Sequence, residues 1–252
     1  MVDRTSGVPA YRQVADGLRA RIKAGEFEPG AQLPSERELV QMYSVSRPTV
    51  RDAVNLLVQD GVVIAEHGRG VFVRPPAVVH RLARNRLSRA ARTADQGAFL
   101  ADAAAGGFTP SVSIRVRFEA ADQRIADLLH IAEGDEVTVR DRVMRANGLP
   151  VQLAVSRLPC ELTHGTAIEE VNTGPGGAYA RLEEAGHVLD HFEEVVGARM
   201  PTPEERTMLQ LPPATPVITV TRVAYSSERP VETNDMVLAA DRYELSYLLP
   251  AE

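Results

Sequence analysis

The sequence has very little of several residue types on which protein chemistry often depends. Among its 252 residues there is one cysteine, Cys160, one lysine, Lys23, and no tryptophan. A lone cysteine excludes an internal disulfide and any paired-cysteine metal or redox motif; following Pro159, it reads as an incidental packed thiol. No apolar run approaches the roughly 20 residues that a membrane-spanning helix needs, and the opening Met-Val-Asp-Arg-Thr lacks a basic start followed by an apolar core. The expectation is a cytoplasmic protein with no membrane partner. GxSxG, P-loop and GxGxxG stretches are absent. His164, His187 and His191 do not share one helix face with an acidic ligand, so no metal site and no cofactor are expected. Glu183-Glu184 and Glu193-Glu194 are adjacent pairs whose side chains point apart, and they read as solvated surface rather than acid–base pairs.

What is present is the composition of a globular chain, 44% hydrophobic and 25% charged with a mean hydropathy of -0.15, long enough for two modest domains. Its net charge of -6 hides an asymmetry. Residues 1–94 carry 15 basic against 9 acidic residues, a net +6, whereas residues 95–252 carry 13 against 25, a net -12. A basic N-terminal part suggests a polyanionic partner, and the acidic remainder limits indiscriminate association with nucleic acid.

Val14, Leu18 and Ile22 recur at helical spacing between Pro9 and Gly25. After Pro29-Gly30, Ser35 stands three residues before Glu38, a capping box that opens a second short helix ending near Tyr43-Ser44. Ser46 then caps a third helix over Arg47–Asp60, so two helices flank a short turn. On the third helix Val50, Ala53, Val54 and Leu57 share one side, while Arg47, Pro48, Arg51, Asp52 and Asn55 share the other. Two β-rich runs around His67-Gly68-Arg69-Gly70 predict a hairpin wing. Pro75-Pro76 closes the domain, and residues 77–94, with five arginines and no acid, read as a linker. Beyond residue 95 the pattern predicts strands over 111–119, 136–144, 151–158, 190–198, 216–225 and 231–240 with helices over 121–130, 179–184 and 203–209. Consecutive antiparallel strands with a few helices make this an α+β domain.

A helix with arginines near its N-terminal end suits the DNA major groove, where Arg pairs bidentately with guanine. Arg47, Thr49 and Arg51 occupy such positions, with Ser46 and Pro48 beside them. Arg37, at the start of the preceding helix, is placed for a phosphate, and the wing residues His67, Gly68 and Arg69 suit the minor groove. The plain alternative is a solvated charged surface.

These residues resemble the DNA-binding domain of the GntR family of bacterial regulators: Leu33-Pro34-Ser35-Glu36-Arg37-Glu38-Leu39, Val45-Ser46-Arg47-Pro48-Thr49-Val50-Arg51, Leu57, Gly61 and Gly68-Arg69-Gly70-Val71-Phe72-Val73. The resemblance implies a winged helix-turn-helix over 8–76 that binds double-stranded, pseudo-palindromic operator DNA as a homodimer, with Arg37, Arg47 and Arg51 on the DNA. Residues 95–248 are similar to the UTRA effector-sensing domain of the HutC subfamily, on Arg142, Pro150, Pro159, Pro230-Val231-Glu232 and Asp241-Arg242-Tyr243. That implies a chorismate-lyase-like antiparallel sheet without catalytic activity, which also dimerises and binds a small-molecule effector. Members that sense phosphorylated sugars usually carry an Arg, a Glu and a Ser where this chain has Met144, Ala154 and Gly177, which argues against a standard sugar phosphate. Arg142 and Glu232 are the leading effector contacts, with Tyr243 beside them. Arg140 joins them because a charge turned inward on a strand must meet a partner or a polar ligand, the alternative being a structural Arg–Glu pair. The function expected is a ligand-released repressor; a constitutive dimeric DNA-binding protein and a lyase-like enzyme are the alternatives.

Overall fold

The computed structural model describes residues 2–3, 5–66, 68–74, 79–82 and 98–247. His67, Pro75-Pro76 and most of the stretch read as a linker therefore lie outside the described residues. The chain divides into two compact units, Met1–Pro76 with Leu211–Thr215, and Ala77–Gln210 with Pro216–Glu252.

In the first unit, α1 (Ala10–Lys23) buries Val14, Ala15 and Leu18. α2 (Glu36–Tyr43) opens with the expected capping box: the Ser35 hydroxyl accepts from the Glu38 amide at 3.4 Å, and the Ser35 amide donates to Glu38 Oε2 at 2.8 Å. A three-residue turn with Ser44 in the left-handed region (φ 53°) leads to α3 (Arg47–Gln59), whose amide at Thr49 is capped by Ser46. Pro48 fits the first turn, where its missing N–H costs nothing. Strands β1 (Val63–Glu66) and β2 (Gly70–Val73) form the wing hairpin, antiparallel from Val63↔Val73 to Glu66↔Gly70. Val14, Leu18, Leu39, Val50, Leu57, Val63 and Val73 make one core that ties the three helices to the hairpin.

The second unit is built on a six-stranded antiparallel sheet. Its strands are β4 (Pro110–Ala120), β5 (Glu136–Ala146), β6 (Leu149–Pro159), β7 (His191–Arg199), β8 (Val217–Ser226) and β9 (Arg229–Ala239), in the order β4-β5-β6-β9-β8-β7. One face is covered by α5 (Gln123–Leu129), which packs Ile125, Ala126 and Leu129 against Val137 and Val139. The other is covered by α4 (Ala98–Gly106), α6 (Cys160–Thr163), a 3₁₀ turn (Ala167–Glu169) and α7 (Gly177–Glu184). α8 (Pro203–Met208) follows β7, and its own capping box joins Thr202 to Glu205.

Several of these features differ from the expectation: α6 and the 3₁₀ turn were not foreseen, and neither were the following elements. Residues 79–82, within the predicted linker, form β3 (Val79–Leu82), which pairs in parallel with β10 (Tyr243–Ser246). A parallel partner more than 160 positions away leaves no local signature. α4 was not predicted because Ala-rich Ala98–Gly106 lacks the alternation of apolar and polar faces that marks a surface helix.

Candidate functional site

On the first unit, Arg37, Ser46, Arg47, Pro48, Arg51, Gly68 and Arg69 are all exposed, and Thr49 is half-buried. The Ser46 hydroxyl is engaged as the α3 cap and shares a 2.8 Å hydrogen bond with the Thr49 hydroxyl, so these two residues set the start of the helix. Arg51 donates from Nε to Glu36 Oε1 at 2.9 Å, which aligns it between α2 and α3. Arg69 pairs with Glu66 and lies over the Phe72 ring. The wing depends on Gly70: its φ is 122°, and an added Cβ would collide with the Gln32 amide, whose Nε2 donates to Arg69 O at 2.8 Å. These side chains present cations around the N-terminal end of α3, an arrangement suited to phosphates and base edges.

The second unit holds a cavity of about 300 Å³ between one face of the sheet and the chain that covers it. The strand register explains its composition. Arg140 on β5 faces Ser156 on β6, which faces Asn234 on β9, then Arg222 on β8, then Glu194 on β7. These five polar residues form one row across five strands. The neighbouring row runs Ile114, Arg142, Ala154, Met236, Val220 and is apolar except for Arg142.

Arg142 and Glu232, both expected, line the cavity. Arg142 donates to the Ser156 hydroxyl, and Glu232 accepts from the Tyr179 hydroxyl. Burial first, and then the Glu232 carboxylate, raises the Tyr179 pKa, so the phenol keeps its proton and donates. Arg222 also lines the cavity and is 3% exposed; it donates from Nε to Glu194 Oε1 at 2.7 Å, with Nη2 at 2.6 Å. Burial works against that charge, but Tyr179, Glu194 and Glu232 outweigh it and hold the Arg222 pKa above its ordinary value.

The remaining two expected residues stand behind the cavity rather than in it. Arg140 is buried and gives its guanidinium to three backbone carbonyls, Ile168, Glu170 (2.5 Å) and Val171 (3.2 Å), so it fastens the covering segment to the sheet. Burial, and then Arg142, lower its pKa to about 10, which leaves it charged at neutral pH. Tyr243 is buried and donates to Gln152 Oε1 at 2.9 Å, positioning a residue that does line the cavity.

Five polar lining residues were not anticipated: Gln152, Thr173, Tyr179, Arg222 and Asn234. A sequence signal existed for Asn234, which stands two residues after Glu232 on the same strand face, the spacing that links Arg140 to Arg142. Glu194, expected at the solvated surface, is instead 13% exposed and paired with Arg222, because it ends the polar row. Among the described residues the Asn234 Oδ1 is buried and has no hydrogen-bond partner. α7 begins after the N-cap Gly176, which gives no side-chain cap, and Gly176, Gly177 and Ala178 line the cavity. The site thus offers two guanidiniums, a carboxylate, two amides and an uncapped helix start. No group of described residues could hold a metal ion, and no helix among them is long and apolar enough to cross a membrane.

Known families match both units. Residues 10–73 match the bacterial regulatory proteins of the gntR family, and residues 107–244 match the UTRA domain. The chain is 34% identical to an HTH-type transcriptional regulator of Streptomyces coelicolor, covering 95% of this chain and 92% of that protein. It is 27% identical to the HTH-type transcriptional repressor NagR of Bacillus subtilis, covering 96% and 95%. Among solved structures, the crystal structure of a GntR-family transcriptional regulator aligns with a TM-score of 0.65 at 30% identity, covering 97% of this chain and 98% of that one. A winged helix-turn-helix with cations around α3, joined to a six-stranded sheet with a polar cavity, accords with these matches: the chain belongs to the GntR family of bacterial transcription regulators and carries a UTRA domain.

Proposed function

We propose that the protein is a repressor that binds a pseudo-palindromic operator as a homodimer and is released when a small molecule occupies the cavity of its UTRA domain. The family is one of regulators, which disfavours the lyase-like reading. One observation favours an effector-responsive protein over a constitutive one: Asn234, 5% exposed and with an amide oxygen that has no partner among the described residues, belongs to the lining of a cavity of about 300 Å³. A domain used only for dimerisation has no need of that cost. Arg142, Glu232, Arg222 and Tyr179 are the proposed effector contacts; Arg140 and Tyr243 hold the surrounding frame. Met144, Ala154 and Gly177 on the cavity side make a standard sugar phosphate a poor fit.

One cavity-lining element, α4, and the strand β3 also lie next in the chain after the DNA-binding unit. α4 supplies Phe99 and Leu100 to the wall, and β3 pairs with the strand that carries Tyr243. An effector that binds one arrangement of these elements more tightly shifts the DNA-bound equilibrium by that difference in affinity, and by no more. The test is a fluorescence-anisotropy titration against the DNA upstream of the protein's own coding sequence, with an Arg47→Ala, Arg51→Ala double variant alongside. Each lost base contact costs about 1–3 kcal/mol, so affinity should fall about thirtyfold or more. Wild-type binding no tighter than to random DNA rules out self-regulation at that site.

A further inference from the structure

We infer that Glu36 is a positioning residue for base recognition: its carboxylate holds Arg51 by Nε and leaves both terminal nitrogens of the guanidinium to read a guanine. This rests on the reading of Arg51 as a DNA contact.

The first ground is which nitrogen is engaged. Arg51 on α3 donates from Nε to Glu36 Oε1 on α2 at 2.9 Å. Among the described residues no partner takes its Nη1 or Nη2. Those two nitrogens form the end-on fork with which an arginine grips O6 and N7 of a guanine. Other exposed pairs are made differently. Arg199 gives Nη1 and Nη2 to the two oxygens of Glu205, each at 2.6 Å, and Arg69 gives Nη1 to Glu66. An arginine held by those nitrogens must release its partner before it can grip a base edge in this way, whereas Arg51 keeps Glu36 and the base together.

The second ground is the charge around Glu36. Arg47 and Arg51 stand four apart on α3, a spacing at which like charges repel. The bond from Arg51 is the first cause that holds the Glu36 carboxyl below its ordinary range; slight burial opposes it, and the charge of Arg47 adds to it. One carboxylate therefore serves both arginines, the first by contact and the second at longer range.

The third ground is that stability does not require the pair. Both side chains are exposed, which makes such a pair a weak contributor to the fold. An acid in the first turn of a helix suits the helix dipole, but Glu38 already supplies one in α2 and closes the capping box with Ser35. Glu66, the other carboxylate in the groove between α2, α3 and the wing, is engaged by Arg69. A carboxylate beside DNA contacts weakens the attraction for phosphates, so its gain must lie elsewhere. Fixing a long side chain in advance spares an ordering cost of about two- to tenfold in affinity.

The test is selection of binding sites from a random duplex library by the full-length wild type, Arg51→Ala, Glu36→Ala and Glu36→Gln, with sequencing of the bound pools. Wild type should select a site with a guanine that is lost from the Arg51→Ala pool. Glu36→Ala should lower the preference for that same guanine about two- to tenfold and leave the other positions as in wild type. Glu36→Gln keeps an oxygen able to accept from Nε and should fall between them. In anisotropy titrations, Glu36→Ala should bind the selected site more weakly while its affinity for a scrambled duplex holds or rises, because a negative charge has been removed from beside the phosphates. A merely structural role moves both duplexes together, and circular dichroism checks that the variants are folded. A Glu36→Ala pool with the guanine preference intact, or weakened at every position alike, overturns the proposal and leaves the DNA-binding face in place. An Arg51→Ala pool identical to wild type refutes Arg51 as a base-reading residue, and this inference with it. No selected sequence from the wild type refutes the DNA-binding reading itself.

Discussion

Replacing Glu194 with Ala should destabilise the C-terminal unit far more than a surface substitution. Arg222 is 3% exposed and Glu194 13%, and a single carboxylate oxygen accepts from Arg222 Nε at 2.7 Å and lies 2.6 Å from Nη2. Removing the carboxylate leaves the guanidinium buried and short of its main acceptor, and breaking a buried pair from one side costs about 3–5 kcal/mol. Glu232, the other carboxylate near Arg222, accepts from Tyr179 and offsets part of this, so the lower end, about 3 kcal/mol, is expected. By contrast, Arg51–Glu36, with side chains 64% and 45% exposed, belongs with pairs worth at most about 1 kcal/mol. The assay is urea unfolding of the full-length protein followed by far-UV circular dichroism, since the chain has no tryptophan. Arg222→Met and the double variant complete the cycle: with both charges gone, the double variant should be more stable than Glu194→Ala alone. A cost below about 1 kcal/mol for Glu194→Ala, or a double variant no better than it, would refute the claim that burial makes this pair costly to break.

Gly70→Val places a side chain at φ 122° against the Gln32 amide and should disorder the wing, weakening operator binding while leaving the UTRA domain's unfolding unchanged; anisotropy and circular dichroism check the two halves. Leu57→Ala empties a fully buried position shared by α3 and the rest of the N-terminal core, at a cost of about 2–5 kcal/mol in the DNA-binding unit's unfolding free energy, read from urea denaturation. Glu205 is held below its ordinary pKa of 4.5 first by two 2.6 Å hydrogen bonds from Arg199, with burial opposing. Its carboxylate therefore stabilises the fold fully above about pH 4.5 and loses that contribution as pH falls through the lowered native value. Glu205→Gln should lower the urea midpoint at pH 7 and flatten its decline below pH 4.5.

The DNA-binding unit is largely legible in sequence because local chemistry fixes it. Ser35 with Glu38 and Ser46 with Thr49 mark two helix starts within eleven residues, and helical spacing separates Val50, Ala53 and Leu57 from the arginines. In the UTRA domain the six strands are visible through alternation and turns such as Asn147-Gly148. The elements that escaped depend on distant partners. β3 is defined by β10, and α4 by the sheet face it covers. Site residues divide the same way. Arg142 and Glu232 are readable through the resemblance to the UTRA domain and Arg140 as a charge turned inward on a strand, but nothing near Arg140 in sequence tells that Ile168, Glu170 and Val171 will turn their carbonyls toward it. Adjacent strand residues point to opposite faces, so that only one of Glu193 and Glu194 is exposed, and only the register of β7 with β8 brings Glu194 opposite Arg222.

The position of the polar row is itself evidence for a site. Arg140, Ser156, Asn234 and Arg222 are each no more than 5% exposed, at the centre of a sheet where Val, Ile or Leu would add burial without an electrostatic cost. On one side stands the apolar row of Ala154, Met236 and Val220; on the other, Leu158 and Ala224 belong to a second apolar cluster. A continuous apolar face would join these two clusters into one core, and buried ionic groups are often replaceable by well-packed apolar ones at no loss of stability. The row therefore divides a core that stability alone would unite. It does so where α7 leaves its first turn uncapped and where Asn234 has an oxygen without a partner among the described residues. Departures from good core packing concentrate at functional sites, and here the burial pattern, the register and the unsatisfied amide identify the same part of the UTRA domain.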